Sequence, residues 1–179
     1  MEVYRVTKDS PEWLIKAYDY VRTDAFCFGQ GIPIEGEFSH DGPVDENYRA
    51  VVLVEDHKPV AGCRIVYPEE QIGKIERVCV TRACQKNGVG HLLIGEAEKW
   101  IAESGVRHIV INSQDRAQGF YEKLGYVLNP EVNPKVYDAH FTGDREAAMH
   151  GYVPQKNPLG FACVLVEKEL SEGSKDSFL

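Results

Sequence analysis

The sequence predicts an α+β domain, and three observations carry that expectation. Val89, Leu92, Leu93, Ala97, Trp100 and Ile101 form one apolar stripe at helical spacing. Residues 106–112 make a near-continuous apolar run, the pattern of a strand covered on both faces. Residues 50–55 and 60–67 read as two further strands, joined by a turn at Asp56-His57-Lys58-Pro59. At 179 residues the chain fits a single domain over 1–170, long enough to bury a real core, with 171–179 as a polar tail that frays.

Each element has its own signal. Val3 to Val6 alternates as a strand. Ser10 supplies an N-cap and Pro11 a first helical position for a helix that reaches about Phe26, with Leu14, Ala17, Tyr18 and Val21 on its apolar face. Residues 29–47, rich in Gly, Pro and acidic side chains, read as a long loop. A strand over 74–81 precedes the striped helix, which Gly105 ends. Ala117, Phe120, Tyr121 and Leu124 repeat at helical spacing up to Gly125, and residues 126–128 begin another strand. Residues 129–159 lack periodicity and carry four prolines, three of them in Asn-Pro pairs, so they read as an extended excursion; residues 161–169 return as a last strand.

Composition narrows the function classes. Apolar content of 43% and charged content of 27% belong to an ordinary soluble globular protein. A net charge of −8 argues against a nucleic-acid partner held on a broad basic surface, and mildly favours a cationic or amine ligand. Cys27, Cys63, Cys79, Cys84 and Cys163 are odd in number and form no Cys-x-x-Cys pair, so they read as buried free thiols of a reducing cytosol. No apolar stretch approaches the ~20 residues a bilayer requires, and the first residues have a strand pattern rather than that of a signal peptide. The expectation is a soluble cytoplasmic protein, without a membrane partner. The six histidines are scattered, and no metal site is expected.

The most specific segment is Val78-Cys79-Val80-Thr81-Arg82-Ala83-Cys84-Gln85-Lys86-Asn87-Gly88-Val89-Gly90: a strand, a short polar loop and a helix start in succession. Gly88 and Gly90 leave main-chain N–H groups uncovered at a helix N-terminus, which makes an anion site suited to a pyrophosphate. No Gly-Lys-Ser/Thr follows, and the first glycine of Gly-x-Gly-x-x-Gly is missing; the P-loop and dinucleotide readings both fail.

What remains, Gln-x-x-Gly-x-Gly, resembles the acetyl-CoA pyrophosphate loop of the GNAT acetyltransferases. About thirty residues later, the run Gln114-Asp115-Arg116-Ala117-Gln118-Gly119-Phe120-Tyr121-Glu122-Lys123-Leu124-Gly125-Tyr126 resembles the second signature of that family, with Gln114 at its usual Asn position. The match is strongest over 74–128, and the order of elements is similar to the GNAT fold. Phe26, Gly29-Gln30-Gly31-Ile32-Pro33, Glu37-Phe38 and Ile111-Asn112-Ser113-Gln114 resemble the ElaA-like branch. Departures from that branch are Ser39, Arg116 and the long 129–159 insertion.

The resemblance implies a mixed, mostly antiparallel sheet flanked by helices. It implies acetyl-CoA as cosubstrate, bound where two central strands diverge near Cys79 and Ile111, and direct transfer to an amine of a small molecule or protein. Gln85, Lys86, Asn87, Gly88, Val89 and Gly90 would hold the diphosphate, with Arg82 adding charge. Val78, Cys79 and Val80 would pair with pantetheine amides through their main chain, and Asn112 and Gln114 would hydrogen-bond pantetheine or water. Tyr121 matches the position of the acid that protonates the departing thiolate. A homodimer pairing the last strands is compatible with such a domain.

Glu76 lies two residues before Val78, so strand alternation puts it on the same face, where a partly apolar cleft would raise its pKa into the range of a base. His40, Asp41 and His140 are weaker candidates. Cys79 and Cys84 have no base nearby in sequence to support a covalent acyl-enzyme. Two alternatives stand beside acetyl transfer: a non-catalytic acyl-CoA-binding regulatory domain, and an acyltransferase using a longer chain. The excursion, with Tyr137, His140, Phe141, His150 and Tyr152, suits either a lid over the acceptor or a cover for a sheet edge.

Overall fold

A computed structural model of the chain describes residues 1–172; the expected tail lies, from 173 on, outside the described residues. Seven strands, β1 (Glu2–Val6), β2 (Ala50–Glu55), β3 (Lys58–Glu69), β4 (Ile72–Val80), β5 (His108–Gln114), β6 (Val127–Asn129) and β7 (Cys163–Glu169), form one sheet in the order β1-β2-β3-β4-β5-β7-β6. Every neighbouring pair is antiparallel except β4 and β5. The helices are α1 (Glu12–Arg22), prolonged by a π-turn over Thr23–Phe28, then α2 (Ile34–Phe38), α3 (Val89–Glu103), α4 (Gln118–Lys123) and α5 (Arg145–Ala148).

The sheet has a core on each face. On one, Leu93, Ile94, Ala97 and Ile101 of α3 pack against Leu53, Ile65, Ile75, Ile109 and Ile111. On the other, Leu14, Ala17, Tyr18 and Val21 of α1 pack against Ala50, Val52 and Cys79. Burying one such Leu or Ile side chain stabilises by roughly 1.5–3 kcal/mol, and burial on both sides removes alternation from β2 and β5. The excursion joins the α1 face through Val132, Val136 and Tyr137, which cover Val110 and Leu165.

Several local expectations are corrected. Ser10 does not cap α1: its Oγ accepts from the Thr7 N–H at 2.9 Å, which leaves Pro11 at the N-cap position. The loop over 29–47 contains α2, a five-residue helix too short to show periodicity. Leu92 is solvent-exposed and Ile94 takes the buried place on α3. Only Cys63 and Cys79 of the five thiols are buried. The β2–β3 turn is tighter than expected, because Asp56 and His57 both adopt left-handed φ (50° and 64°) and β3 starts at Lys58.

One irregularity sets up the site. Gly62 pairs with Cys79 but Arg64 pairs with Glu76, so Arg77 and Val78 together oppose Cys63 in a β-bulge. Arg77 sits at φ 50°, the left-handed conformation that absorbs the extra residue. Side chains of β4 therefore change faces across the bulge. Ile75 joins the α3 core before it, and Val78 and Val80 pack on that core after it.

Candidate active site

β4 and β5 pair only at Ile72–His108, Gly73–Ile109 and Lys74–Val110. Beyond these three pairs the strands diverge and leave a notch between residues 76–80 and 111–114. Thr81 donates its N–H to Val60 O across β3 at 2.9 Å, and Cys79, two residues earlier, pairs with Gly62. Alternation along an antiparallel strand then turns the N–H and C=O groups of Val78 and Val80 into the notch. Cys79 is the correction here, since its main chain is spent on β3. The Val80 carbonyl accepts from Gln85 Nε2 at 3.3 Å, which ties the loop to the strand edge.

The loop after β4 presents unfilled donors. Gly88 is the N-cap of α3 at φ 74°, no side chain caps the helix, and no acidic residue lies in its first turn. Gly88 needs its missing Cβ for backbone conformation, because nothing lies within 4 Å of where that atom would be. Gly90 differs: a Cβ there would approach Phe120 Cζ to 2.9 Å, so this glycine lets α4 pack against the start of α3. Arg82 is already engaged. Its guanidinium Nη2 meets Asp24 Oδ1 at 3.1 Å and its main-chain N–H donates to Asp24 Oδ2 at 2.8 Å, which anchors the loop to the end of α1. Lys86, at φ 69°, stays exposed beside the helix start.

Tyr121 lies on α4, with ring centroids 5.0 Å from Phe120 and 5.8 Å from Tyr126. It is 5% exposed, and burial, with Cys63 and Cys79 adding to it, pushes its phenol well above the ordinary value. The proton therefore stays on the oxygen at neutral pH, as a donor requires. Among the described residues the hydroxyl has no hydrogen-bond partner.

The opposite face of the same notch is charged. Arg77 Nη1 meets Glu37 Oε2 at 2.9 Å, and Arg22 Nε meets Glu37 Oε1 at 2.8 Å. Arg22 continues to Asp41 at 2.6 Å, Asp41 to Arg64 at 3.0 Å, and Arg64 to Glu76 at 2.8 Å. Lys74 then links Glu76, at 3.0 Å, to Asp138 in the excursion, at 2.5 Å. Asn112 Nδ2 donates to the same Asp138 oxygen at 2.9 Å, which leaves Asn112 Oδ1 buried without a partner. Four cations and four carboxylates alternate from α2 across β3 and β4 to the excursion.

This arrangement corrects the reading of Glu76. Because of the bulge, Glu76 and Val78 point to opposite faces of the sheet. Burial acts to raise the Glu76 pKa, but the charges and hydrogen bonds of Lys74 and Arg64 outweigh it and hold the carboxyl below its usual value. A carboxylate so held is a poor base. Asp41 is lowered for the same reason: burial opposes, and Arg22 and Arg64 prevail.

Asn112 and Gln114 also face the charged side; Gln114 Nε2 donates to Gln30 Oε1 at 2.8 Å, and Arg116 Nε donates to Gln114 Oε1 at 2.7 Å. His140 Nε2 lies 3.2 Å from the His40 carbonyl, a direct contact between the segment after α2 and the excursion. Arg22, Glu37, Arg64, Lys74 and Asp138 belong to no local motif that marks them as site residues. One signal existed: Arg22 falls eight residues after Leu14 and four after Tyr18, on the apolar stripe of α1, where an arginine requires a buried anion.

Among the described residues no helix is long and apolar enough to cross a membrane, and no group of three or more His, Cys, Asp or Glu side chains is arranged to hold a metal ion.

The sequence profile of the acetyltransferase (GNAT) family matches residues 10–126. The chain belongs to that family. The uncharacterized N-acetyltransferase YjcF of Bacillus subtilis is 32% identical over 107 residues, which cover 60% of this chain and 74% of that protein. The crystal structure of Escherichia coli ElaA superposes with a TM-score of 0.69 over 94% of this chain and 99% of that one, at 18% identity. An aminoglycoside 6'-N-acetyltransferase complexed with coenzyme A superposes with a TM-score of 0.68, over 97% and 99% of the two chains, at 14% identity. The two superpositions establish a shared fold. Family membership makes the chain an acetyl-CoA-dependent N-acetyltransferase, with acetyl-CoA as cosubstrate.

Proposed function

We propose that acetyl transfer takes place at the β4–β5 notch, by direct attack of an amine on acetyl-CoA in a ternary complex. The observation that carries this reading is the presence together of three features: main-chain groups of Val78 and Val80 turned away from β3, the uncapped α3 N-terminus, and the protonated phenol of Tyr121, packed in the same core as Val78 and Val80. The diphosphate would rest on the N–H groups from Lys86 to Gly90, and pantetheine would pair with Val78 and Val80 as an added strand does. The amine nitrogen forms a bond to the thioester carbonyl carbon, and the carbon–sulfur bond breaks. The nitrogen releases one proton to solvent, the departing thiolate takes one from Tyr121, and the phenolate regains a proton from solvent.

The acceptor would approach from the charged face, where Asn112 Oδ1 is an unused acceptor for an amine N–H. Glu76, ion-paired on both oxygens, would keep Arg64 and Lys74 in place, and the amine would lose its proton to solvent. Residues 1–170 would act as one domain, with 129–159 as part of the acceptor wall. The free state of all five cysteines supports a reducing, cytoplasmic setting.

The test is thiol release from acetyl-CoA across a panel of amines. Acceptor-dependent release is expected. Tight acetyl-CoA binding with no release above hydrolysis for any amine would instead support an acyl-CoA-binding regulatory domain.

A further inference from the structure

The excursion and the start of β7 line an open cavity of about 710 Å³ whose wall includes Lys135, His150, Tyr152, Gln155, Phe161 and Cys163. That volume lies in the range of small-molecule sites. The cavity adjoins the notch: Cys163 pairs with Gln114 in the β5–β7 register, so the two side chains share the face that also carries Asn112. Asp115 donates its N–H to Ala162 O at 2.8 Å, which fixes the end of β5 against the same wall.

Local charge here is opposite in sign to that of the whole chain. Every carboxylate of the ladder is bonded to a cation, and among the described residues no carboxylate lines the cavity. Lys135 and His150 have no ion-pair partner among the described residues. Arg116, stacked 4.9 Å over the Phe161 ring, donates to the neutral Gln114 amide rather than to a carboxylate. Just after β5, Asp115 is a carboxylate without a cation among the described residues; its Oδ1 accepts from the Arg116 N–H at 2.8 Å. The wall thus offers one unpaired cation, Lys135, within the cavity, and a carboxylate, Asp115, at the end of β5.

Resting on the acetyl-transfer reading, we infer that the acceptor is a small amine that also bears a carboxylate, a molecule of the amino-acid class. Its carboxylate lies against Lys135 in the cavity, and its amine reaches Asp115 and Asn112 beside the end of β5. A polycationic amine has no counter-charge to meet in this cavity, and a folded protein surface is too large for it.

The experiment measures acetyl transfer to a ladder of ω-amino acids from glycine to ω-aminocaproate, each beside the amine that lacks its carboxylate. The expected result is a kcat/KM at least about tenfold higher for the carboxylated member of one or more pairs, roughly 1.4 kcal/mol. Lys135→Glu should bring that ratio close to one through the acceptor KM, and Lys135→Arg should restore it. Equal rates within every pair, a preference for diamines, or a ratio unchanged in Lys135→Glu would overturn the inference. If no amine is acetylated, the transfer reading falls. Calorimetry of ω-aminocaproate binding in the presence of CoA then decides the cavity separately: binding lost in Lys135→Glu upholds it, and no binding to the wild type refutes it.

Discussion

The two faces of the sheet beside the notch are built on opposite principles. Toward α3, the site consists of main chain, two glycines and an apolar core, and the phenol of Tyr121 supplies its polar chemistry. Toward α1 and the excursion, it consists of an alternating ladder of eight charged side chains drawn from α1, α2, β3, β4 and two loops. A cosubstrate common to a whole family can be held by groups that any sequence possesses. An acceptor particular to one enzyme needs side chains, and those here are locked to one another before any substrate arrives.

The sharpest way to break this contrast is to cut the ladder at its most buried point. Arg22 and Glu37 are 1% and 0% exposed, so Glu37→Ala leaves a guanidinium buried with part of its charge unmatched. Such a loss costs about 3–5 kcal/mol, measurable by urea denaturation. A change below about 1 kcal/mol would mean that the ladder behaves like a surface network.

Tyr121→Phe probes the other face. It should lower kcat by about 10², near 2.7 kcal/mol, and leave the acetyl-CoA Kd intact, because only the donated proton is lost. Near-normal turnover in single-turnover kinetics would reduce Tyr121 to a packing residue between Phe120 and Tyr126.

Gly88→Glu should raise the acetyl-CoA Kd at least about tenfold, or 1.4 kcal/mol, through an unfavourable φ and a charge opposed to the diphosphate. Unchanged affinity in a folded variant, read by calorimetry, would remove the loop from the binding site.

The smallest effect is in the acid limb of stability. Glu76 and Asp41 have lowered carboxyl pKa values in the folded chain, so their contribution is fully present above the ~4 of an unfolded carboxylate. It is lost as pH falls through the lower folded values. Glu76→Gln should therefore lose less stability than the wild type between about pH 5 and 3, by about 1 kcal/mol or less. Parallel acid limbs in the two proteins would show that Glu76 is not stabilised by Lys74 and Arg64.

What the sequence determined by itself is the α3 side of the molecule. The stripe from Val89 to Ile101, the apolar run of β5, Gln85 to Gly90 and the Phe120-Tyr121 pair are local patterns, each set by residues within a few turns of one another. Local periodicity and backbone requirements survive in one dimension. The charged face does not, because Arg22, Glu37, Asp41, Arg64, Glu76 and Asp138 span more than a hundred positions and meet only when α2 and the excursion close over the sheet. The orientation of Glu76 failed for a related reason. Alternation predicts its face correctly only in a regular strand, and the bulge at Arg77 arises from pairing with β3, which adds one residue and reverses the parity of everything beyond it.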